Sequence, residues 1–126
     1  MSEAIDWDPI RALAQRVVRN GEPLVLTADV RELLLRTARE VAISPGEAEQ
    51  AIATTDGAMK LLTECSHRIH DGSWRVMRAL NRMYKNKKAG DFDSARQEMR
   101  DVLAVEVVPY YRELAQEQLD DMADEP

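Results

Sequence analysis

The stretch Glu64-Cys65-Ser66-His67-Arg68-Ile69-His70 concentrates the side chains best able to do chemistry. On a helix, Glu64, His67 and His70 follow one another at intervals of one turn, and three such side chains could share a divalent cation. Glu64-x-x-His67 also matches the Glu-x-x-His element of di-iron helical bundles, which need a second such element and two more inward carboxylates. The chain has 2 histidines, both in this stretch, so the second element is missing. The favoured reading is a polar surface stripe, with no metal and no cofactor. Cys65 and His67, two residues apart, point to different helix faces and make a poor nucleophile-base pair. A small buried thiol is the expectation for Cys65. No Gly-rich phosphate loop, Gly-x-Ser-x-Gly or Cys-x-x-Cys is present, so no catalytic residue is assigned.

Glu106 is the other candidate. It lies inside Asp101-Val-Leu-Ala-Val-Glu-Val-Val-Pro-Tyr-Tyr111, which is apolar on nearly every face of a helix. A carboxylate in such surroundings must find a partner or turn to water. The simpler reading is a helix-surface acid meeting Arg78 or Arg82; the other is a site carboxylate with Tyr110 one turn on. Charge distribution favours pairing. Residues 1–67 carry 7 basic and 11 acidic side chains, residues 68–88 carry 7 and 1, and residues 89–126 carry 3 and 11. Arg75, Arg78, Arg82 and Lys85 share one helix edge, and Asp93, Glu98, Asp101 and Glu106 follow in the next element. Opposite charges along a shared seam set register more than they add stability. With no aromatic residues interleaved for stacking, and a net charge of −6, the basic edge is a poor nucleic-acid surface.

The elements that position these residues read as helices. Asp8-Pro9 starts the first, with Ile10, Leu13, Ala14, Val17 and Val18 on one face, and Asn20-Gly21 ends it. Thr27 caps a second, with Val30, Leu33, Leu34, Ala38 and Val41 buried. Ser44-Pro45-Gly46-Glu47 opens a short third as a capping box. Met59, Leu62, Ser66, Ile69, Ser73, Val76, Leu80 and Met83 keep one helical phase across Gly72. They favour a long helix over about 58–89, bent at Gly72, with a true break at Gly72 as the close alternative. Gly90 closes it, and Asp91 caps a last helix running to Leu119, kinked at Pro109. The alternative, a Val-rich strand at 102–108, conflicts with the helical flanks.

These readings give an all-α fold: a helical bundle of four to five helices with a long antiparallel C-terminal helical hairpin. One domain is expected over 1–126, with small helices over 7–55, the hairpin over 58–120 and a frayed acidic tail over 120–126. No apolar run approaches the roughly 20 residues of a membrane helix. The N-terminus shows no signal peptide, and 1 cysteine cannot form an internal disulfide, so a cytoplasmic protein is expected.

Two blocks, "PLVLTADVRELLLRTAREVAIS" and "GDFDSARQEMRDVLAVEVVPYYRELA", resemble the DUSAM-domain family, small paralogous proteins of myxobacteria. The resemblance spans about Trp7 to Leu119. It implies a stand-alone cytoplasmic bacterial domain and carries over no activity and no site residue. Gly90, Asp91 and Ala95 also resemble the turn of a tetratricopeptide repeat, but no second copy occurs at its period of about 34 residues.

The expected function is a small, non-catalytic helical interaction domain that self-associates, most simply as a homodimer. The over-apolar segment and the basic edge supply the candidate contact residues: Val105, Val108, Tyr111, Glu106, Arg75, Arg78 and Arg82. An immunity- or antitoxin-like neutralising partner is one alternative. A metal-dependent helical enzyme using Glu64, His67 and His70 is the other.

Overall fold

The computed structural model describes residues 5–125. Among them are six α-helices and no strand: α1 Asp8–Ala14, α2 Ala28–Glu40, α3 Pro45–Ala51, α4 Thr55–Lys88, α5 Phe92–Val105 and α6 Pro109–Asp121. The fold is all-α, consistent with a helical bundle. The sixth helix arises because the expected C-terminal helix is not continuous. It stops at Val105 and restarts at Pro109. Pro109 has no N–H to give to Val105, and it pushes Val108 out of the helical region, to ψ 118°. Glu106 is extended too, at ψ 132°. The expected kink is therefore a full break.

The chain divides into two compact units, 1–67 and 68–126. In the first, α1 runs into a π-helical turn over Gln15–Arg19. Asp8 is the first residue of α1 rather than its cap, which is Trp7. Trp7 is buried, and its indole N–H donates to Glu40 Oε1 at the end of α2 (3.2 Å). Thr27 and Ser44 accept the Val30 and Glu47 N–H groups, each at 3.2 Å, so α2 and α3 begin where side-chain oxygens satisfy open donors. Ile10, Leu13, Leu34, Ala38, Ala48 and Leu62 are among the buried apolar residues here.

The second unit comprises α4 from Arg68, then α5 and α6. Gly90, at φ +78°, turns the chain between α4 and α5, and Asp91 Oδ1 caps α5 by accepting the Ser94 N–H (3.1 Å). Two ion pairs fix the antiparallel register: Arg82–Glu98 at 2.8 Å and Arg75–Glu106 at 2.5 Å. Each pair lies nearly symmetrically about Gly90. Residues 120–125, expected to fray, are tied down. Met122 is buried, and Arg96 donates to the carbonyls of Met122 (2.7 Å) and Glu125 (3.2 Å). Pro126 lies outside the described residues.

α4 is continuous for 34 residues, roughly 51 Å. It starts three residues before the expected boundary and does not break at Gly72. Its buried positions alternate large and small. Leu62, Ile69, Val76 and Met83 are the large ones, and Ala58, Cys65, Gly72 and Ala79 lie between them at a spacing of seven. By apolar periodicity alone, Met59, Ser66, Ser73 and Leu80 would form that second row. The structure rotates the seam by one residue, onto the smaller side chains.

Candidate functional site

The most enclosed polar group in the second unit is the Glu106 carboxylate. Its side chain is 1% exposed. It sits at the break between α5 and α6, where three residues, 106–108, form an extended elbow. Oε1 accepts from Arg75 Nη1 on α4, and Oε2 accepts the N–H groups of Val107 (3.1 Å) and Val108 (2.9 Å). Those N–H groups lead into α6, whose N-terminal end favours negative charge. Glu106 thus accepts the two N–H groups that lead into α6, while Val108 occupies the cap position, where no side chain caps the helix.

The open carbonyls of α5 are met from the other side. Arg112, on the first turn of α6, donates through Nη1 to Leu103 O (2.6 Å) and Glu106 O (2.9 Å). The elbow is closed against α4 by two further residues. Tyr111 is buried, and its hydroxyl donates to Ile69 O (3.0 Å). Gly72 is where α4 and the elbow approach. A Cβ there would lie 2.3 Å from Tyr111 Cδ2 and 3.1 Å from Glu106 Oε1. Glycine in a helix interior is disfavoured by about 1 kcal/mol relative to alanine, so its place here is explained by what it admits.

With both oxygens engaged and the side chain enclosed, Glu106 is a structural carboxylate. Its partner is Arg75, not Arg78 or Arg82, and it is not on a helix surface. Arg82 pairs with Glu98. Asp93 pairs instead with Arg96 within α5 (2.8 Å), and Asp101 accepts from Gln97 (2.8 Å). Among the described residues, Arg78 and Lys85 have no carboxylate partner.

The other expected contact residues separate. Val105 is 60% exposed, whereas Val108 and Tyr111 are interior. Tyr110 lies on the outside, its ring edge-on to Tyr111 with centroids 5.5 Å apart. Glu64, His67 and His70 are all exposed along α4. No group of three or more His, Cys, Asp or Glu side chains among the described residues is placed to hold a metal ion. His70 packs edge-on with Trp74 at 6.3 Å. Cys65 is buried. In the first unit, a shallow open groove follows the outer face of α2, lined by Ala28, Arg31, Glu32, Leu35, Arg36 and Arg39. It offers no nucleophile.

The family of proteins of unknown function DUF2379 matches residues 5–122. The chain belongs to that family. Its match takes in all six helices, the Glu106 elbow included. The search of curated proteins and the search of solved structures each return no match. No helix among the described residues is long and apolar enough to cross a membrane.

Sequence reasoning missed Gly72, Arg112 and Arg96 as organising residues. For Gly72 a signal exists: a glycine inside an unbroken apolar phase marks a close approach as readily as a break. For the two arginines there is none, because the partners through which they tie distant segments together are backbone carbonyls.

Proposed function

We propose that this member of the DUF2379 family is a non-catalytic helical interaction domain that works by self-association. One observation carries the reading. Trp74, Met77 and Tyr84, at 53%, 53% and 50% exposure, lie along one face of α4. Large apolar groups aligned on one helix face, rather than scattered, are the ordinary mark of a protein contact. The engagement of the Glu106 carboxylate by Arg75 and two backbone N–H groups supports the non-catalytic part of this reading. The DUSAM resemblance and the single buried thiol support placing the protein in a bacterial cytoplasm.

Sedimentation velocity across the micromolar range tests the proposal. A concentration-dependent rise from monomer to dimer is expected. A monomer throughout that range overturns it.

A second reading rests on charge. Glu113, Glu117, Asp120 and Asp121 are exposed along α6 with no basic partner among the described residues. Such a face suits a neutralising contact with a basic protein, of the immunity or antitoxin kind. Affinity capture from the source cell, returning a stoichiometric basic partner, would favour it over self-association.

A further inference from the structure

α4 carries two seams. The buried one alternates large and small side chains over residues 58–83. On another face, His70, Trp74, Met77, Asn81, Tyr84 and Lys88 follow one another in strict steps of four and three, and all six are exposed. That stepping is the pattern by which one helix packs along another. No other element among the described residues covers it.

We infer that this face pairs with the same face of a second copy of the chain, the two α4 helices running antiparallel about a two-fold axis level with Ala79. The inference rests on the self-association reading and specifies its geometry. About that axis the seam is self-complementary. Trp74 meets Tyr84 of the second copy, Met77 meets Asn81, and His70 meets Lys88. An aromatic pair thus lies on each side of the axis, just inside the outer His70–Lys88 contacts, and the two-fold makes both halves alike.

The flanks choose the direction. In antiparallel pairing each flank meets its own counterpart. On one side Leu80 faces Leu80 of the second copy, adding an apolar contact beside the axis. On the other, Asp71 faces Lys85 of the second copy, and symmetry repeats that pair. Arg78 faces its own counterpart, one repulsive contact against two attractive ones. Asp71 and Lys85 are exposed and form no ion pair among the described residues, so both are available. Parallel pairing would stack Lys88 on Lys88 and His70 on His70, and would set Ser66 opposite Asp71 and Leu80 opposite Lys85. It satisfies no charge.

The test is sedimentation equilibrium of the full chain with charge reversals. Asp71→Lys and Lys85→Asp should each weaken the dimer roughly tenfold, and the double exchange should restore it. Direction is read separately by oxidation of single cysteines, since the native Cys65 is buried. Leu80→Cys should link two chains. Lys88→Cys, near the axis only in parallel pairing, should not. Trp74→Glu should give a monomer of unchanged helicity. If the wild-type chain dimerises but Trp74→Glu still dimerises, the reversals have no effect, the double exchange fails to restore, or Lys88→Cys links instead, this register is overturned while self-association stands. A wild-type monomer throughout overturns both.

Discussion

The ring of Tyr111 occupies the space that a side chain at position 72 would take: a Cβ built on Gly72 would lie 2.3 Å from its Cδ2 atom. The ring cannot swing aside freely, because its hydroxyl is bonded to the carbonyl of Ile69 one turn earlier on α4. A glycine that weakens the helix locally is what lets the α5–α6 elbow seat against it.

Gly72→Ala should therefore destabilise, against the helix-propensity trend. Propensity alone favours alanine by about 1 kcal/mol. Overpacking a tight contact typically costs 1–3 kcal/mol, and here it also displaces the Tyr111 hydrogen bond. A net loss of about 1–2 kcal/mol in urea unfolding is expected. An equal or higher midpoint would show that the contact relaxes without strain.

Removing the Glu106 carboxylate should be among the most damaging single changes. Glu106→Ala strands the Val107 and Val108 N–H groups and leaves Arg75 without its partner, a loss of roughly 3–4 kcal/mol. Glu106→Gln keeps an acceptor and should lose less. Arg75→Ala should also lose less, because the Arg75 side chain is 37% exposed and water can take part of its place. A double-mutant cycle on the pair measures the coupling directly.

Thr37 offers the opposite sign. It is fully buried on α2, and its hydroxyl has no hydrogen-bond partner among the described residues. Thr37→Val keeps the shape and removes the unmet group, so a gain of about 1 kcal/mol is expected, seen as a rise of a few degrees in Tm.

The start of α5 should respond to acid. The Ser94 side chain, and then its backbone N–H, hold the Asp91 carboxyl below its ordinary value of 3.8. A carboxyl depressed on folding stabilises the folded chain above its unfolded pKa, and that contribution disappears as pH falls through the lower, folded value. The advantage of the wild type over Asp91→Ala should be constant above about pH 4 and shrink below it. Paired acid-unfolding curves read this out. An advantage that stays level to the lowest pH reached would contradict it.

What the sequence reveals here is what is local. The Thr27, Ser44 and Asp91 caps and the Gly90 turn depend on neighbours within a few residues. Each is legible because its donor and acceptor sit on the same short stretch. The continuity of α4 is legible for a related reason: its apolar phase survives Gly72. The small row at 58, 65, 72 and 79 is not, because weighing residues by apolarity ranks Met59 and Leu80 above Ala58 and Ala79. Close approach, unlike apolarity, depends on what lies opposite. The elbow is illegible for the strongest reason. Pro109 announces a disturbance, but whether a helix kinks or breaks depends on who satisfies the freed backbone groups. Here Glu106 and Arg112 do so, with Arg75 arriving from 31 residues away.

The two tryptophans have a practical consequence. One falls in each compact unit, Trp7 enclosed and Trp74 open to solvent. In the monomer only the first has a blue-shifted emission to lose on denaturation, since an unassociated Trp74 already emits much as it would in an unfolded chain. At concentrations where the chain is monomeric, tryptophan fluorescence will therefore follow the melting of the N-terminal unit and be nearly blind to the C-terminal one.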